Sequence, residues 1–397
     1  MKIALSTRVA RPIPTLAACS MAALLGACGG TDAGNGAQAG TTTAATILSA
    51  NAYDLWVATH GSDANPGSHD APVRTISRAA ALATPGATIH VAPGYYAGNV
   101  VTNTSGTAAA PIRILSDGKW AAVIVGSGSE AMWTNNGDHV EINGFDISGP
   151  GRLGIVNYAS NTLIANNHIH DLTISGGCNG SGGAGVVNAD YAASNGNIVG
   201  NVVHDIGTPG ACNGVQGIYS TNRGGQISNN VVYRAAAFGI HLWHGASDVT
   251  IVNNTVFANG SAGMGGGIVI GNGELPGNQQ LTNTRVLNNI VYDNPRGGIQ
   301  EYCYAGENCI GAGNIVSNNL VYGSAAPVVM LVGSATGTIE ADPRFVRYDP
   351  AGNGDYRLQS DSPAIDRGLG AAAPLNDIMG VARTQRGAID LGAYESY

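Results

Sequence analysis

The sequence predicts an all-β protein wound as a solenoid, and three observations carry that prediction. The first is a seven-residue phrase: an aliphatic residue, spacers, an Asn, then a hydrophobic stretch ending in a ring. It reads Ile164-Ala165-Asn166-Asn167-His168-Ile169-His170, Ile198-Val199-Gly200-Asn201-Val202-Val203-His204 and Ile227-Ser228-Asn229-Asn230-Val231-Val232-Tyr233. It returns as Ile251-Val252-Asn253-Asn254-Thr255-Val256-Phe257, Val286-Leu287-Asn288-Asn289-Ile290-Val291-Tyr292 and Val316-Ser317-Asn318-Asn319-Leu320-Val321-Tyr322. The second is its spacing. The key Asn stands at 167, 201, 230, 254, 289 and 319, so the gaps are 34, 29, 24, 35 and 30 residues. Fixed strands with variable loops at such a period mark a repeat architecture, and the Val/Ile-rich period-2 pattern makes it β rather than helical. The third is composition: 59 Gly in 397 residues with 11% charged residues suits stacked coils with many tight turns.

Taken from the N-terminus, residues 1–27 read as a secretion signal, with Lys2, Arg8 and Arg11 ahead of an apolar stretch from Leu16 to Leu25. Leu25-Gly26-Ala27-Cys28 resembles a bacterial lipobox, which implies lipidation of Cys28 and, with Gly29 following, an outer-membrane destination. Ordinary cleavage and secretion is the alternative. Residues 28–51, rich in Gly, Ala and Thr, form a flexible tether. Elsewhere no apolar run is long enough to span a bilayer, so any membrane attachment is through the lipid anchor.

Residues 52–340 hold the coils and their N-terminal cap, and 341–397 a closing segment. Stacking the coils puts each key Asn above the next, a ladder of side-chain amides that must find partners when buried. A third strand per coil opens with Gly and an aliphatic residue: Gly154-Ile155, Gly185-Val186, Gly217-Ile218, Gly239-Ile240, Gly267-Ile268 and Gly298-Ile299. With the aliphatic inward, the outward column reads Val156, Val187, Tyr219, His241, Val269 and Gln300. Two residues on come Tyr158, Ala189, Thr221, Trp243, Gly271 and Tyr302.

Three strands per coil, an Asn-bearing turn and long loops flanking one strand resemble the right-handed parallel β-helix of the pectate-lyase superfamily, over roughly residues 53–340. The segment Trp56-Val57-Ala58-Thr59-His60-Gly61 through Pro93-Gly94-Tyr95-Tyr96 is similar to the opening of secreted β-helix proteins, where a short helix, here about 72–83, covers the first coil. An open coil end would expose unpaired strands and apolar core. The tail from Asp361-Ser362-Pro363 to Ala393-Tyr394-Glu395 is similar to their closing segment.

Charge narrows the partners. The chain carries 18 basic and 26 acidic residues, and removing residues 1–27 takes away three bases, leaving 15 − 26 = −11. No basic stripe exists for phosphates, so nucleic acid is excluded; a monomer is expected. Beyond Cys19 and Cys28, four cysteines remain. An even number in an exported protein reads as disulfides, with Cys303 and Cys309 bracketing a short loop and Cys178 and Cys212 in equivalent loops of adjacent coils. A zinc site is the alternative, but the spacings lack paired CxxC motifs.

The resemblance implies a substrate groove along the Gly-aliphatic strands. Tyr219 and His241 become neighbours there, with His244 and Arg223 just past the strands, and these four are the candidate catalytic residues. Trp243 offers a plate for a sugar; Arg234, Arg296, Gln300, Glu301 and Tyr302 complete the candidate substrate-binding set. This combination suits β-elimination on an acidic, uronic-acid-containing polysaccharide: a ring abstracts the proton beside the carboxylate, and Arg steadies the charge that develops. Glu301, inward by strand parity, has a second reading as a partner for turn amides. His170-Asp171 and His204-Asp205 are read as members of a surface ring stack rather than metal ligands. Ca²⁺ stays open as a cofactor, although the outward column lacks the clustered Asp that would hold it, and the three-Asp pattern of the hydrolases is absent. A C5-epimerase and a non-catalytic surface β-helix for glycan binding or adhesion are the alternatives.

Overall fold

The computed structural model describes residues 53–396, except 129, 175–181, 208–213, 261–264, 274–278, 305–307 and 386. Among the described residues the chain winds into a parallel β-helix with three sheets of eleven, nine and nine strands. Each of the nine complete coils contributes one strand to the groove sheet (the Gly-aliphatic strands), one to the pre-asparagine sheet and one to the post-asparagine sheet, and the pre-asparagine sheet gains one more strand at either end. The expected register holds: Ile164 lies beside Ile198, Ile198 beside Ile227 and Ile227 beside Ile251. These side chains are buried, as are Ile169, Val203 and Val232 of the post-asparagine sheet. Fully burying one such side chain stabilises by roughly 1.5–3 kcal/mol, so the stacked columns dominate the core.

The repeated Asn-Asn pair divides two tasks. The second Asn builds the ladder: Nδ2 of Asn201 donates to Oδ1 of Asn230 at 3.0 Å, and Asn230 repeats the bond to Asn254 at 2.9 Å. The backbone N–H groups of Asn201 and Asn230 donate to the same two oxygens. The first Asn turns the corner in the left-handed region, with φ of 54° at Asn166, 55° at Asn229 and 54° at Asn253. Asn tolerates that conformation better than most residues, and Gly200 (φ 68°) fills the same place in its coil.

The expected N-terminal cap is a helix over Ile76–Leu82, shorter than the 72–83 read from sequence. Thr75 accepts from the Arg78 N–H at 3.2 Å, while Ile76, Ala79 and Ala80 are buried on the first coil. The C-terminal segment closes the solenoid along its side. Its carbonyls accept from turn asparagines on successive coils: Asn376 from Asn229, Asp390 from Asn253, Leu369 from Asn288 and Arg367 from Asn318. Phe345, Tyr356 and Leu391 pack over Tyr233, Phe257 and Ile290 on the outer post-asparagine sheet.

Cys303 and Cys309 form a disulfide, as expected. Cys178, Cys212 and Cys28 lie outside the described residues, as do the signal and tether. No described helix is long and apolar enough to cross a membrane.

Candidate active site

Register builds the site. Tyr219 on strand Val215–Ser220 lies directly beside His241 on Phe238–Leu242, with ring centroids 5.6 Å apart and nearly perpendicular. His241 is followed in the column by Val269 and then Gln300. Trp243 meets His241 edge-on at 4.9 Å and stacks on Tyr302 at 5.8 Å. The indole lies on Gly271 and Gly273, where an added Cβ would come within 2.5 and 2.7 Å of it. These glycines make room for the plate.

Together these residues line a cavity of about 460 Å³ with Gln216, Phe238, Arg296, Gln300 and Tyr304 around it. Tyr219 and His241 form its floor, only 4% and 7% exposed. Burial, with a smaller contribution from His244, pushes the His241 imidazole down to about 3, so the ring is neutral at ordinary pH. Burial also raises the Tyr219 phenol, which keeps its proton. Arg296 has no acidic partner among the described residues.

Gln216 fixes the histidine tautomer. Its amide is satisfied when the nitrogen donates to the carbonyls of Gly183 at 3.0 Å and Gly214 at 3.1 Å. That orientation turns the amide oxygen toward Nδ1 of His241, 3.4 Å away, so Nδ1 carries the hydrogen. Nε2 then presents a lone pair, and it is buried without a hydrogen-bond partner among the described residues. A buried base atom without such a partner can take a substrate proton once the side chains covering it give way.

Several residues expected here stand elsewhere. Arg223 lies in an exposed turn beyond its strand and pairs with Asp248 at 2.6 Å. Arg234 belongs to the post-asparagine sheet, where it reaches Asp205 at 2.5 Å. His244 follows Trp243 but turns at φ 54° and meets Tyr191 at 5.1 Å, off the cavity wall. Glu301 points inward, 3% exposed: its carboxylate accepts from the N–H groups of Leu331 and Val332 at 2.6 and 2.8 Å and from Asn314 at 2.9 Å. It anchors the next coil and does not face substrate. Tyr219, His241, Trp243, Arg296, Gln300 and Tyr302 are brought together as expected.

Gln216, Phe238 and Tyr304 were not anticipated. Strict alternation would send Gln216 inward with Ile218, but the strand kinks at Gly217. A Cβ there would meet Val232 at 2.4 Å, so Gly217 and Ile218 both face the core and Gln216 shares the outer face with Tyr219. The signal lies in the Gly itself, since an interior Gly often marks such an irregularity.

The sequence pattern of the family described as "Right handed beta helix region" matches residues 117–339, more than half of the chain. The chain belongs to that family. A second pattern, "Protein of unknown function (DUF1565)", matches residues 59–114, the capped opening of this β-helix. No curated protein matches the sequence. Among solved structures, pectate lyase Pel9A aligns with a TM-score of 0.62 at 19% identity, covering 87% of this chain and 97% of its own. A rhamnogalacturonan lyase aligns with a TM-score of 0.50 at 16% identity, covering 78% of this chain and 97% of its own. At such identities the likeness of this β-helix to them is one of fold.

Proposed function

We propose that this β-helix protein is an exported polysaccharide lyase that cleaves an acidic, uronic-acid-containing glycan by β-elimination. The observation that carries the reading is the cavity itself. A neutral His241 whose Nε2 has no hydrogen-bond partner among the described residues, a protonated Tyr219, an Arg with no acidic partner among the described residues and an aromatic plate line one cavity. The relatives of similar fold named above include a pectate lyase and a rhamnogalacturonan lyase, which supports a polysaccharide as substrate.

In the proposed mechanism a sugar ring stacks on Trp243 while Arg296 engages the uronate carboxylate through its planar fork. Nε2 of His241 takes the proton from the carbon beside that carboxylate, and Arg296 stabilises the enolate-like charge. The electron pair forms the new carbon–carbon double bond as the neighbouring carbon–oxygen bond breaks, and Tyr219 donates its proton to the departing oxygen. Gln216 holds His241 in the tautomer this requires. A bound carboxylate also raises the basicity of His241 relative to the free protein, bringing it closer to its task.

Ca²⁺ wants six to eight oxygen ligands, largely carboxylates. The described residues of the cavity wall include no carboxylate, so the donor set does not fit that ion and no step is routed through it. Anchoring at Cys28 places the enzyme on the outer membrane in this reading, and ordinary cleavage would release it.

The test is incubation with a panel of uronans, monitored by ultraviolet absorbance of the unsaturated product. The expected outcome is elimination on at least one polymer, with His241→Ala and Tyr219→Phe each lowering kcat by roughly 10²–10⁴. Full activity in both variants would remove the site assignment. An altered uronate ratio at constant chain length would mean epimerisation, and binding without turnover would mean a glycan-binding surface.

A further inference from the structure

A second group of titratable side chains lies on a different sheet from the cavity. His168 and His170 share the outer face of strand His168–Thr173, and His204 stands beside His170 on the adjacent strand. One nitrogen from each of the three lies within 4.8 Å of the others. On the other flank, Asp146 sits directly beside His168 on strand Asp146–Pro150. The cluster therefore joins three successive coils.

Every ring has a carboxylate on Nδ1: Asp146 on His168 at 2.8 Å, Asp171 on His170 at 2.7 Å and Asp205 on His204 at 2.7 Å. This is how metal-binding imidazoles are usually oriented, with Nδ1–H on an acid and Nε2 turned to the ion. The arrangement has a consequence at Nε2. His168 and His204 face each other through their Nε2 atoms at 2.8 Å. With both Nδ1 atoms protonated toward their acids, two neutral rings would press lone pair against lone pair. A positive charge in the gap, a proton or a metal ion, resolves that contact while leaving every Nδ1–H on its acid.

Nε2 of His170, 3.2 Å from the Asp146 carboxylate, is the third nitrogen of the cluster. Three imidazoles, with a water in the fourth position, are a donor set for a four-coordinate divalent transition ion. Zinc–nitrogen bonds of about 2.0–2.1 Å would need the facing nitrogens to separate by roughly half an ångström, within the reach of side-chain rotation. Side-chain exposures of 14–20% leave the rings accessible to an ion from solvent. We propose that His168, His170 and His204 form a Zn²⁺ site, with Asp146 orienting His168, that staples three coils together, separate from the groove. His170, His204 and Tyr233 do stack, as the sequence predicts; His168 joins them unanticipated, and a zinc ion on their Nε2 atoms departs from the expectation that these histidines are not metal ligands.

Two substitutions test the site with side chains the solenoid already uses. Phe257 occupies the ring column two coils beyond His204, and Ser148 lies directly beside His170. Untagged, full-length protein stripped with a chelator is titrated calorimetrically with ZnCl₂, with CaCl₂ as control. The expected result is one Zn²⁺ per chain, no heat from Ca²⁺ at this site, and a higher melting temperature with zinc. His204→Phe and His170→Ser should each weaken binding by roughly 10–100-fold or more while circular dichroism stays β. Absence of zinc binding in the unsubstituted chain would overturn the proposal. Undiminished binding in either folded variant would do the same.

Discussion

At the residue scale, the chemistry of His241 is set by its surroundings. Burial holds its acidity near 3 against an ordinary value near 6.5, so the folded protein resists protonating it. The sign follows from linkage. Below about 6.5 the unfolded chain takes up a proton that the folded chain refuses, so this group's contribution is present above that pH and is lost as pH falls toward 3. His241→Phe removes the penalty. Urea midpoints measured between pH 7 and 4 should therefore fall less steeply for the variant than for the parent chain; parallel slopes would mean His241 is not held neutral by burial. The pairing of Tyr219 with His241 was legible in the sequence because the repeat fixes which residues stack. Gln216 was not, because alternation fails at Gly217, where the corner is packed against Val232. Arg223 and Arg234 were misplaced for a related reason: sequence proximity to the groove strand says nothing of the acid that captures each guanidinium, and Asp248 and Asp205 do so.

At the element scale, the turn ladder is the device that holds coil to coil. Oδ1 of Asn230 accepts from both N–H and Nδ2 of Asn201, and its own Nδ2 donates to the Ile198 carbonyl and to Asn254. Asn230→Ala would strand donors and acceptors on both neighbouring coils in a fully buried turn. Each unsatisfied buried group costs about 1–3 kcal/mol, so the variant should lose roughly 3 kcal/mol or more in chemical denaturation. A loss below about 1 kcal/mol would mean that water or a shifted turn replaces the bonds. This ladder was readable because its phrase repeats. Two others were not. Asn135, Asn157 and Asn188 bond in series at the ends of groove strands, and Asn259 bonds Asn294 at another corner. These span fewer coils and lack a flanking signature, so only the wound chain brings them into line.

At the scale of the whole molecule, the closing segment shows how a repeat protein ends. The sequence marked residues 341–397 as a closure, but where it lies depends on turn asparagines that align only after winding. Arg383 is the pin of that contact. It is 2% exposed and donates to Oδ1 of Asn229 at 2.7 Å, to the Gly392 carbonyl at 2.9 Å and to Glu395 at 3.2 Å. Burial already pushes the Glu395 carboxyl up to about 7, so its charge leans on the guanidinium. Arg383→Ala would leave that acid buried beside Asp390 without its cation, so its carboxyl should take up a proton at neutral pH and the cost should stay below the about 3–5 kcal/mol of a stranded buried charge. Because the strap bonds the turns from outside, the penalty should fall on its docking and not on the coils beneath. Hydrogen exchange should then accelerate across 376–396 and at the turn amides it covers, while strands Val215–Ser220 and Phe238–Leu242 keep their protection. Uniform loss of protection would show instead that strap and solenoid unfold as one unit, with the side closure as much a part of the core as the stacked Ile columns.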